Sequence, residues 1–296
     1  MTTIGFIGLG NMGSGMAANL AGAGHEVRAL DISKEAVAAA AEKGCIGAAN
    51  MKDAVENSDI VITMLPAGAH VKLVYGGEDG VFEHCKSGAA LIDCSTIDVA
   101  SAREVIASAE HKGFQMIDAP VSGGVGGAAA GTLTFMCGGT KDAFETAKPF
   151  LDIMGKNVFH AGDAGNGQAA KICNNMLLGV HMIGTCEAFN LAEKLGLDAQ
   201  TFYDISSTAS GQNWSMTSYC PAPGPVPSAP SNNEYKAGFS AAMMLKDLRL
   251  AQDAATSARA ATPLGTQAEA IYSLMEAAGK DGLDFSGVMK LLKGNL

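Results

Sequence analysis

Positive charge is scarce in this 296-residue sequence: Lys and Arg number 20 against 30 Asp and Glu, for a formal net charge of -10. With no cationic surplus to neutralise a phosphate backbone, general DNA or RNA binding is excluded, although one or two lysines suffice for a small anionic substrate. Aromatic residues are also few, at 6% with one tryptophan, and only 9 prolines are present. Together with 48% hydrophobic residues and 37 glycines, this departs from a β-sandwich and fits alanine-rich helices packed on short strands. No run of about 18 apolar residues occurs, and the N-terminus has neither a basic leader nor a small-residue cleavage site, so no membrane span or secretory signal is expected. The seven cysteines form no C-x-x-C pair and have no histidine at metal-ligand spacing, which implies reduced thiols, no metal and a cytoplasmic location. The six histidines are isolated, and no nucleophile triad is recognisable.

What is present is a regular alternation. Strand-length apolar segments at 4–9, 26–31, 60–65, 90–95 and 115–119 are separated by alanine-rich helical stretches, a pattern that predicts an α/β fold with a parallel, doubly wound sheet. Two more strand-like pieces, 132–137 and 157–160, bracket a helical segment at 141–154 and are expected to extend that sheet. The pattern then changes: residues 169–195 read as one long apolar helix with no internal proline, able to run from one domain to another. Beyond it only helical signals follow, 239–258 among them, interrupted by the loop 221–230 in which five of ten residues are proline. The length favours two domains.

The first strand leads into Gly8-Leu9-Gly10-Asn11-Met12-Gly13, after which a helical pattern begins. In a strand-turn-helix setting, Gly8 allows the tight turn, Gly10 the close approach of a pyrophosphate, and Gly13 the close packing of helix on strand. Asp31 ends the second strand 23 residues after Gly8, where a carboxylate can accept from both hydroxyls of a ribose. It would repel a 2′-phosphate, and no arginine follows at 32–34, so the cofactor expected is NAD rather than NADP. Residues 1–163 therefore read as a Rossmann-type NAD-binding domain, and 164–296 as an all-helical domain for substrate and oligomer contacts, joined by the long helix.

Leu65-Pro66 and Ser95-Thr96 fall at the C-terminal ends of strands, where ligands bind in open α/β sheets. Ser122-Gly123-Gly124 also follows a strand; it is either a backbone nest for a carboxylate or a flexible glycine turn. Lys171 lies early in the long helix with Gly167, Gln168, Asn174 and Asn175 around it and no local acid. Burial and a neighbouring cationic nicotinamide would both lower its pKa and suit it to general-base work, whereas a lysine that snorkels to solvent is the plainer outcome. Asn175, one turn on, would share its face and bond a reacting hydroxyl. Lys246-Asp247, near Arg249 and Asp253, reads by default as a solvated charge cluster, and Trp214 with Tyr219 as packing within the helical domain.

Taken in order, the segments 6–13, 118–124, 165–175 and 246–248 resemble the four signatures of the β-hydroxyacid dehydrogenase family across the whole chain. The resemblance implies that Lys171 is the catalytic acid/base and that Ser122, Gly123, Gly124 and Asn175 hold the substrate. It also implies that Lys246 approaches the cofactor and the substrate, with Leu65, Pro66 and Thr96 at cofactor-contacting positions, although His70 stands where many relatives carry asparagine. Segments 210–214 and 219–224 are similar to the branch that acts on 3-hydroxyisobutyrate in valine breakdown, which places Trp214 and Tyr219 at the substrate. Tartronate semialdehyde reductase, L-serine dehydrogenase and succinic semialdehyde reductase are the alternatives within the family; a non-catalytic dinucleotide-binding scaffold is the alternative outside it. A homodimer or homotetramer is implied. The chain is too short for 6-phosphogluconate dehydrogenase, and Lys171 sets it apart from the imine reductases.

Overall fold

A computed structural model describes residues 1–295, which divide into two compact units, Met1–Lys171 and 172–295. In the first, six parallel strands, β1 (Thr3–Ile7), β2 (Glu26–Leu30), β3 (Ile46–Gly47), β4 (Ile60–Thr63), β5 (Ala90–Asp93) and β6 (Gln115–Asp118), lie in the order β3-β2-β1-β4-β5-β6. This is the strand order of dinucleotide-binding sheets, with the reversal of direction falling between β1 and β4. The short, exposed β3 was not expected, because two residues carry no periodicity.

The strands read as continuous apolar runs because both faces of the sheet are covered. Ile4, Phe6, Ile60, Ile62, Ala90, Ile92 and Ile117 point to one core with Met16, Leu20 and Leu151 from the helices; Ile7, Val61, Leu91 and Met116 point to the other with Val71, Tyr75, Val105 and Ile106. Side chains that alternate along a strand therefore meet a helix layer on either side. Several of the covering helices start where short polar side chains take up their first N–H groups, as at Ser33, Asp98 and Thr140.

The later strand-like pieces behave differently from expectation. β7 (Val121–Ser122), β8 (Leu133–Cys137) and β9 (Gly155–His160) make a separate three-stranded sheet, with β8 antiparallel to β7 and parallel to β9. A single antiparallel bridge between Asp118 and Gly138 ties it to the end of β6. Pro120, which has no N–H to donate, interrupts the antiparallel pairing with β8 between that bridge and β7, where only the Met136 N–H bonds back to the Pro120 carbonyl.

The second unit is helical. The long helix Asn166–Lys194 begins in the first unit and continues into this one, followed by Ala199–Ser206, Trp214–Thr217, Ala241–Ala258, Pro263–Ala277 and Val288–Leu292. Its core gathers Met182, Phe189, Met244, Leu248, Tyr272, Met275 and Phe285. Among the described residues, no helix is long and apolar enough to cross a membrane, and all seven cysteines are free thiols.

Candidate active site

The glycine turn after β1 has the space that a dinucleotide requires. Gly8 has φ +94°, and a Cβ there would lie 2.3 Å from the Met64 carbonyl oxygen; a Cβ on Gly13 would lie 1.9 Å from the Gly8 carbonyl oxygen. Neither position admits a side chain. Nothing lies within 4 Å of a Cβ on Gly10, which leaves its exposed backbone open to a ligand. The helix Gly13–Gly22 starts at Met12 beside Asn11 with no side chain capping it, as suits a helix start that takes an anion. Asp31 is fixed by two backbone donors, Leu9 N–H to Oδ2 at 2.6 Å and Ser33 N–H to Oδ1 at 2.8 Å, which holds the acid at the glycine turn. These residues fit a dinucleotide with a free ribose diol.

Behind the loops that follow β4 and β5 lies a buried polar cluster that sequence reasoning missed. Asp93 Oδ1 accepts from the Thr63 hydroxyl at 2.7 Å and the Ser95 hydroxyl at 2.6 Å, and Ser95 Oγ accepts the Leu65 N–H at 2.8 Å. The cluster thereby ties the Leu65-Pro66 loop to the Ser95-Thr96 loop. Burial pushes the Asp93 carboxyl up to about 6 against the pull of those donors. The available signal was an acid closing the apolar run 90–92.

Ser122 is half-buried at the end of β7, and Gly123 and Gly124 adopt φ values of +138° and +65°. A Cβ on Gly124 would meet nothing within 4 Å, so this turn is also open above its backbone. Lys171 is only 7% exposed, and the plain reading of a lysine head reaching solvent does not hold. It sits in the second turn of the helix Asn166–Lys194, whose start is bonded to Asp118 at the end of β6.

In the second unit, Asn175 is 2% exposed and donates from Nδ2 to Asp247 Oδ2 at 2.5 Å, while its Oδ1 accepts from Asn174 at 3.0 Å. A carboxylate offers only acceptors, so Asp247 fixes which way the Asn175 amide faces. The default reading of Lys246-Asp247 as a solvated cluster is therefore corrected: Asp247 is buried, with Lys246 Nζ 3.5 Å from its Oδ1. Charge spacing alone did not reveal it, because the partner lies 72 positions away in the sequence. Trp214 and Tyr219 stack with ring centroids 5.1 Å apart, and the Tyr219 hydroxyl donates to Asp284 at 2.8 Å. Asp284 also accepts the Gly238 and Phe239 N–H groups, so what Tyr219 presents is a ring held from behind.

Comparison with known proteins identifies the family. Residues 3–162 match the family model for the NAD binding domain of 6-phosphogluconate dehydrogenase, and residues 165–292 the one described as NAD-binding of NADP-dependent 3-hydroxyisobutyrate dehydrogenase. A 3-hydroxyisobutyrate dehydrogenase from Pseudomonas aeruginosa is 49% identical, with 99% of each chain covered. The chain belongs to the 3-hydroxyisobutyrate dehydrogenase family. Also within reach is an NAD-dependent L-serine dehydrogenase of the same organism, 47% identical over 98% of each chain. A solved structure of Mycobacterium tuberculosis 3-hydroxyisobutyrate dehydrogenase with L-serine superposes with a TM-score of 0.94 at 49% identity, covering 99% of both chains. As a member of this family the chain is an NAD-dependent dehydrogenase.

Elsewhere, Asp79, Glu83 and His84 bring three ligand atoms within 4.8 Å of one another at the surface. Two of the three are exposed, and the group is bonded within itself.

Proposed function

We propose that the protein oxidises 3-hydroxyisobutyrate to methylmalonate semialdehyde in valine breakdown. One observation carries this reading: a buried lysine, Lys171, stands just inside a helix whose first turn is bonded to the sheet that forms the nucleotide turn. When bound, NAD supplies the hydride acceptor. Lys171 takes the hydroxyl proton at Nζ. Ser122 Oγ and the main-chain amides of Gly123 and Gly124 hold the carboxylate and so position the carbon that is oxidised. Asn175, oriented by Asp247, donates to the hydroxyl oxygen as negative charge builds there. Trp214 and Tyr219, whose rings stack, are assigned to binding the substrate. Gly8, Gly10, Asn11, Met12, Gly13, Asp31, Leu65, Pro66, Thr96 and Lys246 serve the cofactor.

A second reading, oxidation of L-serine, is supported by the L-serine dehydrogenase relative and by the L-serine named with the mycobacterial structure. Initial rates of NADH or NADPH formation decide between them, with 3-hydroxyisobutyrate, L-serine, glycerate and 4-hydroxybutyrate each supplied with NAD or NADP. Preference for 3-hydroxyisobutyrate with NAD supports the first reading, and preference for another acid reassigns the substrate. Cofactor binding without turnover of any acid favours a dinucleotide-binding scaffold. We further place the enzyme in the cytoplasm, consistent with its free thiols, as a homodimer or homotetramer. Support for the oligomer comes from exposed apolar side chains, Leu177 and Leu191 on the long helix and Leu195 just beyond its end.

A further inference from the structure

The first turn of the helix Asn166–Lys194 is fastened from two directions. From β6, the Asp118 carboxylate accepts the Gly165 N–H at Oδ1 and the Gln168 N–H at Oδ2, both at 2.8 Å, and so satisfies two of the donors that a helix start leaves open. The fit is tight. A Cβ on Gly138 would lie 2.5 Å from Asp118 Oδ1, and one on Gly167 would lie 2.3 Å from the Met136 carbonyl oxygen. From the loop after β5, the fully buried Gln168 side chain makes two more bonds. Its Oε1 accepts the Ile97 N–H at 3.0 Å and its Nε2 donates to the Ser95 carbonyl at 2.7 Å, so the main chain is gripped on both sides of Thr96.

Ser95 is the junction of this network. Its hydroxyl donates to Asp93 and accepts the Leu65 N–H while its carbonyl takes Gln168, so one connected set of hydrogen bonds spans the two loops and the helix turn. Gln168 and Lys171 are three residues apart and neighbours on one helix face, so a shift of the Gln168 turn carries Lys171 with it. We infer that Gln168 is a positioning residue for hydroxy-acid oxidation, holding the Ser95–Ile97 backbone in register with the helix turn that presents Lys171, while Asp118 seats that turn. The inference rests on the proposed function, because the register matters only if Lys171 handles the substrate proton. A misplacement of about 1 Å at a reacting centre costs up to about a hundredfold in rate.

The test compares wild type with Gln168→Met, which keeps the length but removes both polar ends, and with Gln168→Glu, which keeps the acceptor for Ile97 but withdraws the donor to Ser95. Three quantities are measured: NAD affinity by calorimetry, amide hydrogen exchange at Ile97 in the cofactor-free protein, and kcat with ordinary and carbon-deuterated 3-hydroxy acid. In Gln168→Met, exchange at Ile97 accelerates by at least about tenfold, as expected for the loss of a buried hydrogen bond. The NAD Kd stays within about threefold, kcat per NAD-binding site falls at least about tenfold, and the deuterium isotope effect on kcat grows as hydride transfer becomes the slow step. Faster Ile97 exchange with kcat within about twofold of wild type would overturn the inference. So would a loss of kcat that tracks lost NAD-binding sites with an unchanged isotope effect, since that marks a merely structural role. Should Gln168→Met fail to fold, Gln168→Glu decides by the kcat and isotope criteria. Absence of wild-type turnover with all four hydroxy acids would count against the proposed function itself, and the positioning role would fall with it.

Discussion

Replacing Asp93 with asparagine should change how stability depends on pH, by an amount that follows from the site. Asp93 is fully buried, accepts three donors on Oδ1, and has no hydrogen-bond partner on Oδ2 among the described residues. Burial raises its carboxyl from 3.8 to about 6, so between those values the folded protein holds a proton that the unfolded chain has released. Its contribution is therefore fully present below the unfolded value and is lost as pH rises through about 6, a total of about 3 kcal/mol at 1.36 kcal/mol per unit. Between about pH 4.5 and about pH 7.5 the wild type should lose about 2 kcal/mol from this group, and Asp93→Asn should lose none of it. Urea unfolding of both proteins at the two pH values measures this. The asparagine imposes its own cost, but equally at both, so the difference between the proteins moves by about 2 kcal/mol in favour of the variant on going to high pH. A gap constant to within about 0.5 kcal/mol would refute the claim that Asp93 carries a buried charge near neutrality.

Other substitutions bear on the site directly. Lys171→Ala should lower kcat by at least about a hundredfold while the NAD Kd stays within about threefold, checked by steady-state rates and calorimetry. Gly13→Ala forces a Cβ to 1.9 Å from the Gly8 carbonyl oxygen and should cost at least about 2 kcal/mol in thermal or urea unfolding. Gly10→Ala, with open space around its Cβ, should leave stability within about 0.5 kcal/mol and weaken NAD binding by about tenfold or more, because the methyl fills the ligand's space. Asp31→Ser should raise the ratio of kcat/KM for NADP over NAD by at least about tenfold, since the repelling carboxylate is gone. Asp247→Ala leaves the Asn175 amide without its acceptor and should lower kcat by about tenfold or more, with about 1–3 kcal/mol lost in unfolding.

Much of the first unit was legible in the sequence. The five long strands, the helix 141–154 and the long helix from 166 follow from local periodicity, and the glycine turn from spacing within one strand-turn-helix unit. The strand-like pieces at 132–137 and 157–160 were recognised as strands but assigned to the wrong sheet, because local periodicity does not say which strands pair. In the helical unit, Asp247 was misread for a related reason: local charge spacing says nothing of a partner on another helix.

The sequence by itself determined the fold class, the nucleotide turn and the positions of Lys171 and Asn175 along their helix, because periodicity, glycine spacing and helical pitch are properties of neighbouring residues. Only the tertiary structure decided which polar groups are buried and what they hold. Asp118 serves a helix start some 50 positions later, Gln168 reaches back across 73 to Ser95, and Asp247 orients an amide 72 positions earlier. An isolated acid or amide in the sequence is chemically the same whether it faces water or a buried N–H; the packing of distant segments removes the water and makes the partner obligatory.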